Sequence, residues 1–408
     1  MVAIGLAFAF VGGFAAVRLR LPALVGYLLA GIAVGPFTPG FVGDPKLASQ
    51  LAEIGVILLM FGVGMHFSVA DLWAVRSIAV PGALAQIVAA TALGTGVAYL
   101  WGWSLGAGLV FGLALSVAST VVLLRALESS GKMKTADGRI AVGWLIVEDL
   151  VMVLALVLLP AFASQLGGTG SSPNEATGVR VWVSLAITLG KVALFVALML
   201  VVGTRIFPWL LRRVERTGSR ELFTLAVTAL ALGVTFGSAK LFGVSFALGA
   251  FFGGVVINES DLSHRAARDL QPLQDAFGVL FFVAVGMLFD PAILLRQPLQ
   301  VLAVLAIIML GKSLAAFAIV LALGRPVSTA LAVSAALAQI GEFSFILAAL
   351  GLSVGLLPRE GQNLILAGAL LSISLNPLVF YAVFFVHSNR GAEPAAGTTG
   401  LRGREGKS

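Results

Sequence analysis

Long apolar runs separated by short polar clusters make up nearly the whole chain. Thirteen can be drawn, at about 1–17, 22–36, 51–66, 78–101, 104–127, 138–163, 181–205, 221–239, 243–258, 274–289, 299–323, 327–353 and 362–387. A bilayer's hydrocarbon core takes about 20 helical residues, and most of the runs reach or approach that length. The pattern predicts an all-α polytopic membrane protein with about thirteen transmembrane helices. The first run has no basic residue before it and no small-residue cleavage site, and Arg18 and Arg20 follow directly, so it reads as a helix and not as a signal peptide. It spans only about 25 Å at about 1.5 Å per residue, which points to a truncated or misassigned start.

Composition agrees with the pattern. With 59% hydrophobic and 11% charged residues and a mean hydropathy of +1.04, a soluble fold would lack the polar surface it needs. The net charge of +7 would suggest nucleic acid in a soluble protein. Here Lys and Arg sit in short loops, where they set orientation, and nucleic-acid binding is not expected. Placing the N-terminus outside puts 19 basic residues in the cytoplasmic loops and tail and 5 in the external loops, so the expected topology is N-terminus out, C-terminus in. The absence of cysteine excludes disulfides and thiolate ligands. His66, His264 and His387 lie near the ends of runs and far apart in sequence, which disfavours a metal site.

An internal repeat organises the runs. At an offset of 223, LPALVGYLLAGIAVG (21–35) falls on VSFALGAFFGGVVIN (244–258), matching Gly26 with Gly249 and Gly31 with Gly254. GVILLMFGVGMHF (55–67) then falls on GVLFFVAVGMLF (278–289) with one slipped residue. Seven runs separate equivalent points, and an odd number inverts the second copy. The expected architecture is therefore a 6+1+6 inverted repeat: 1–163 with six helices, 164–220 holding a linker helix and loops, 221–387 with six more, and a disordered tail at 388–408. Inverted repeats point to a secondary transporter whose site lies near the bilayer midplane on broken helices.

Two runs carry the composition of a broken helix. GLALSVASTVVLL (112–124) places Ser116, Ser119 and Thr120 in mid-membrane, and its repeat partner ALAQIGEFSFIL (336–347) places Gln339, Gly341 and Glu342 there. Interrupted backbone at that depth is tolerated only where protein or a water cavity satisfies it. The sixth run, IAVGWLIVEDLVMVLALVLLP (140–160), holds Glu148 and Asp149 near its centre. An acidic residue there costs about 3 kcal/mol unless it is paired, protonated or wetted. Lys312 sits equally deep in its own run and is the natural counter-charge, but one lysine neutralises one carboxylate and leaves the other to exchange a proton for a cation. At the repeat offset the pair falls on Leu371 and Ser372, so there is one acidic centre. Lys191 lies nearer a run end and reads as an interfacial charge.

Over nearly its whole length the chain resembles the Kef-type members of the monovalent cation:proton antiporter-2 family. The matching stretches include LVGYLLAGIAVGP, EIGVILLMFGVGMHF, GWLIVEDLVMVLALVLLP, GVSFALGAFFGGVV, AFGVLFFVAVGMLFDP, GKSLAAF and AQIGEFSFILAALG. The resemblance implies thirteen helices, two crossed broken helices, a homodimer in the bacterial inner membrane, and exchange of K⁺ or Na⁺ for H⁺, with K⁺ favoured. It assigns the carrier carboxylate to Asp149, a tuning position to Glu148 and the charge partner to Lys312. Ser116, Ser119, Thr120 and Gln339 are then candidate oxygen ligands, and Glu342 offsets a half-helix dipole. Such proteins usually continue into a cytoplasmic nucleotide-binding domain, whereas the tail here, SNRGAEPAAGTTGLRGREGKS, carries no dinucleotide fingerprint. No cofactor is expected, and regulation would come from a separate cytoplasmic chain or be lost. A cation channel gated by such a chain is the rival reading, followed by a sensor without transport. An enzyme is disfavoured because no nucleophile and base pattern appears.

Overall fold

The computed structural model describes residues 2–39, 45–66, 69–120, 122–123, 127, 135–168, 178–244 and 246–390. Of the tail at 388–408, expected to be disordered, residues 388–390 continue the last helix and 391–408 lie outside the described residues. Among the described residues there is helix and no strand. The helices are α1 (Val2–Arg18), α2 (Ala23–Val34), α3 (Pro45–His66), α4 (Val69–Leu100), α5 (Leu105–Ser116) and α6 (Ala136–Phe162). They continue with α7 (Gly178–Leu198), α8 (Thr204–Glu215), α9 (Arg220–Phe242), α10 (Phe246–Asn258), α11 (Ser263–Met287) and the short α12 (Ile293–Arg296). The last are α13 (Pro298–Ala306), α14 (Lys312–Ala322), α15 (Val327–Leu337), α16 (Glu342–Ser353) and α17 (Arg359–Arg390). Single π-helical turns at Met199–Gly203 and Ile307–Gly311 join α7 to α8 and α13 to α14.

Every predicted apolar run carries helix. Among the described residues, seven helices are long and apolar enough to cross a membrane, and the bent pair α15–α16 makes an eighth. The remaining apolar helices, such as α2, α5 and α10, are shorter. The protein is an integral, multi-pass membrane protein, with exposed apolar side chains such as Phe10, Leu225, Leu241 and Leu299 on its outer faces.

Several helices begin well before the apolar run that announced them. The α4 helix starts at Val69, ahead of the run's start at 78, and Arg76 stacks on Trp73 at 4.2 Å within that extension. Likewise α11 starts at Ser263 and not at 274, because its polar first turns are tied to the α8–α9 turn. Arg265 pairs with Glu215 at 2.9 Å, and Asp269 receives Arg220 at 3.4 Å. Hydropathy marks the part of a helix that meets lipid or core, and polar turns outside it are helical for other reasons. Side-chain caps start three of the helices: Ser104 accepts the Ala107 N–H (3.2 Å), Thr135 that of Gly138 (3.1 Å) and Ser219 that of Leu222 (3.2 Å).

The repeat blocks pack against each other reciprocally. A Cβ on Gly31 of α2 would fall 2.1 Å from the Val283 carbonyl oxygen and 2.8 Å from the Gly286 Cα on α11. A Cβ on Gly254 of α10 would fall 2.1 Å from the Phe61 carbonyl oxygen and 3.0 Å from the Gly64 carbonyl carbon on α3. Small residues let helix backbones approach this closely in a membrane, where van der Waals contact replaces the hydrophobic effect. Gly254→Ala is therefore expected to lower the thermal unfolding midpoint of the detergent-solubilised protein, through overpacking of about 1–3 kcal/mol. Gly233→Ala, where a Cβ meets no atom within 4 Å, should leave it unchanged or raise it.

Candidate functional site

Two interrupted helices meet in the interior. The α5 helix ends at Ser116, the backbone at 117–119 is non-helical, and helix resumes at Thr120, with the Leu123 N–H on the Ser119 carbonyl at 3.2 Å. Much of the second half of this run lies outside the described residues. On the other side α15 ends at Leu337 and α16 starts at Glu342, and the two are bent by 46°. The breaks touch: a Cβ on Gly341 would lie 2.6 Å from the Ser119 Cα, so only glycine fits. Gln339 locks the crossing from both sides. Its Oε1 accepts the Ser119 N–H at 3.1 Å and its Nε2 donates to the Ser119 carbonyl at 3.1 Å. Backbone groups freed by one break are thus satisfied by a side chain from the other, as the interior of a membrane protein requires.

The α6 helix delivers the carboxylates to this crossing. Consecutive helical residues point about 100° apart, and the two acids accordingly take different partners. Glu148 Oε2 accepts the Ala118 N–H at 2.8 Å, and Asp149 Oδ2 accepts the Thr120 hydroxyl at 2.9 Å. Both are buried, as are Lys312, Gln339 and Glu342. Among the described residues, Glu148 Oε1, Asp149 Oδ1, Glu342 Oε2 and Ser344 Oγ have no hydrogen-bond partner within 3.5 Å, although the Trp144 indole and the Ser119 side chain lie close enough to Glu148 and Glu342 to interact with them. Such groups are rare in a folded interior, and the low dielectric makes them costly.

Lys312 divides the acids unequally. Its ammonium donates to the Gln339 carbonyl at 2.9 Å and interacts electrostatically with Glu148. Among the described residues no ion pair within 4 Å joins it to a carboxylate. The electrostatic neighbours of Asp149 are Glu342 and Glu148, both acidic. Lys312 is thus held by the Gln339 carbonyl with Glu148 as a charged neighbour, and Asp149 has the acidic side chains of Glu342 and Glu148 near it.

The other predicted residues separate. Thr120, Ser119, Gln339 and Glu342 lie at the crossing. The Ser116 hydroxyl instead back-bonds to the Leu113 carbonyl at 2.8 Å, and the Ser116 group held by another helix is its carbonyl. Lys191 is exposed on α7. Sequence reasoning overlooked the Ala118 N–H, Ser344, Asn376, whose Nδ2 donates to the Ala335 carbonyl at 3.0 Å, and Gln86, whose Nε2 donates to the Ser116 carbonyl at 3.1 Å. A lone amide within an apolar run was the available signal for the last two.

The sodium/hydrogen exchanger transmembrane family model matches residues 6–386. The chain is 62% identical over 376 residues to the putative cation/proton antiporter YbaL of Escherichia coli, covering 92% of this chain and 66% of that protein. It is 34% identical over 371 residues to K(+) efflux antiporter 4 of Arabidopsis thaliana, covering 90% of this chain and 61% of that one. The chain thus spans just under two thirds of the length of these relatives. Its fold matches that of the sodium proton antiporter MjNhaP1 from Methanocaldococcus jannaschii with a TM-score of 0.71 at 17% identity, covering 94% and 97% of the two chains.

Proposed function

Because the chain belongs to the sodium/hydrogen exchanger transmembrane family, we propose that it is a secondary active antiporter, exchanging a monovalent cation for protons by alternating access. K⁺ is favoured over Na⁺, in line with the K⁺ efflux antiporters among its relatives. One observation carries the reading: two adjacent buried carboxylates, each with one oxygen lacking a hydrogen-bond partner among the described residues, sit where two broken helices cross. Against the buried Glu148, Asp149 and Glu342 there is, among the described residues, one buried cation, Lys312. Two negative charges then remain, and each must take up a proton or a metal cation to be tolerable in a membrane interior. A carboxylate that accepts either, but not both, couples the two fluxes.

In this reading Asp149 carries the cation or proton, with Thr120 as a neighbouring oxygen. Glu148 and Lys312 set the local charge, and Gln339, Ser119 and Glu342 hold the breaks. The chain crosses the membrane thirteen times, N-terminus outside and C-terminus cytoplasmic, as repeats 1–163 and 221–387 around 164–220. The reciprocal contacts of Gly31 and Gly254 support that symmetry. A homodimer in the bacterial inner membrane supplies a fixed scaffold, and a separate cytoplasmic chain is a candidate regulator.

The test is a proteoliposome loaded with a pH-sensitive dye, given K⁺ and then Na⁺, with the membrane potential clamped or free. Exchange is expected to move the cation uphill on a proton gradient. A cation flux that only runs downhill identifies a channel and overturns the reading. Competition at one carboxylate also predicts that, on the acid side, the half-saturating cation concentration rises about tenfold per unit fall in pH. A pH-independent value would break the coupling scheme. Glu148→Gln is expected to retain exchange with an altered pH dependence, since Asp149 keeps its contact with Thr120.

A further inference from the structure

Breaking two helices at one crossing creates four helix ends inside the membrane, two amide ends with partial positive charge and two carbonyl ends with partial negative charge. Three of the four meet a side chain of opposite formal charge. At the amide end where helix resumes after residue 119, Glu148 accepts the Ala118 N–H. At the amide end of α16, Glu342 is itself the first helical residue. At the carbonyl end after α15, Lys312 donates to the Gln339 carbonyl. The fourth is the carbonyl end of α5, where the donor to the Ser116 carbonyl is the neutral amide of Gln86, fully buried on α4. Gln86 Oε1 is also buried and, among the described residues, has no hydrogen-bond partner.

Gln86 and Lys312 do the same job in the two halves. Each reaches from the helix preceding a broken run to the backbone carbonyl at its break, at 3.1 Å and 2.9 Å. The repeat offset of 223 does not align them: it sets Gln86 on Met309 and Lys312 on Ala89. Their equivalence appears only in what they hold.

We propose that Gln86 is a positioning residue that pins the carbonyl end of α5 without neutralising it, so that the transported monovalent cation is itself the positive charge that completes this end. This rests on the antiport reading and adds to it the reason for one lysine and one amide. A lysine at both carbonyl ends would compensate both dipoles permanently and leave less attraction for a cation. An amide fixes the backbone equally well and leaves the partial negative charge, and its own free oxygen, to a cation.

The full-length protein in proteoliposomes tests this, with initial exchange rates measured against K⁺ concentration. Wild-type exchange and its loss in Asp149→Asn establish the antiport reading first, so a silent Gln86 series would count against the present inference alone. Gln86→Lys keeps a donor for the Ser116 carbonyl and adds a charge. It is expected to unfold at the wild-type temperature yet raise the apparent KM for K⁺ by about tenfold or more, since a unit charge several Å away acts through a low effective dielectric. Gln86→Met removes the donor without adding charge, and should raise KM by only about two- to threefold with the maximal rate nearly kept, the size of one lost hydrogen bond. A wild-type KM in Gln86→Lys, or equal KM values in the two variants, overturns the proposal. If Gln86→Lys fails to fold, Gln86→Met decides: a raised KM supports the proposal, and a wild-type KM with lowered stability reduces Gln86 to a packing residue.

Discussion

Asp149→Asn is expected to abolish cation-driven proton movement in proteoliposomes while leaving the protein folded. The amide is nearly isosteric and can still accept the Thr120 hydroxyl, so the packing around α6 is kept. What disappears is the ability to hold a proton at one time and a cation at another. Replacing a buried carboxylate that has acidic neighbours, Glu342 and Glu148, with a neutral group also removes a repulsive charge. The thermal midpoint of the variant should equal or exceed that of wild type. Loss of exchange together with unchanged or raised stability is the signature of a carrier group, because a residue kept for structure would lose both. Full retained exchange would sink the assignment and pass the role to Glu148 or Glu342.

Lys312→Met is the second large effect, and it falls first on stability. Lys312 is fully buried, donates to the Gln339 carbonyl, and interacts with Glu148. Methionine fills most of the volume but leaves that carbonyl without its donor and Glu148 without positive charge nearby. Breaking a buried ionic arrangement by removing one partner costs about 3–5 kcal/mol, which should appear as a drop of several degrees in thermal midpoint together with impaired exchange. Removing Glu148 as well separates the causes. The double variant Lys312→Met, Glu148→Gln should recover part of the lost stability, since a neutral pair leaves no uncompensated charge. If the double variant is as unstable as the sum of the two single ones, Lys312 acts through the Gln339 carbonyl alone.

Membrane class, helical content and the burial of Glu148, Asp149 and Lys312 were legible in the sequence because each depends on hydropathy along one run. The breaks were legible too. A glycine beside polar residues in mid-membrane at 339–342 predicts an interruption that protein must satisfy. Helix starts were read less well, because α4 and α11 extend into polar turns held by stacking and ion pairs with other elements. The Ser116 hydroxyl, a candidate ligand by sequence, bonds within its own helix, and the group Ser116 offers to another helix is its carbonyl.

By itself, then, the chain determined which residues must lie in lipid, which charges must be buried with them, and where helices must fail, since transfer energies and backbone propensity act over a few neighbouring residues. Tertiary structure alone decided how those charges are shared. Lys312 is held at the α15 end with Glu148 as a charged neighbour, Asp149 is left with acidic neighbours, and Gln86 stands where a second lysine would complete the pattern. Those relations depend on distances of a few Å between α4, α5, α6, α14 and the α15–α16 break, segments separated by up to 220 residues in the chain. Electrostatic pairing falls off with distance in space, and the order of residues carries no record of it until the helices have packed.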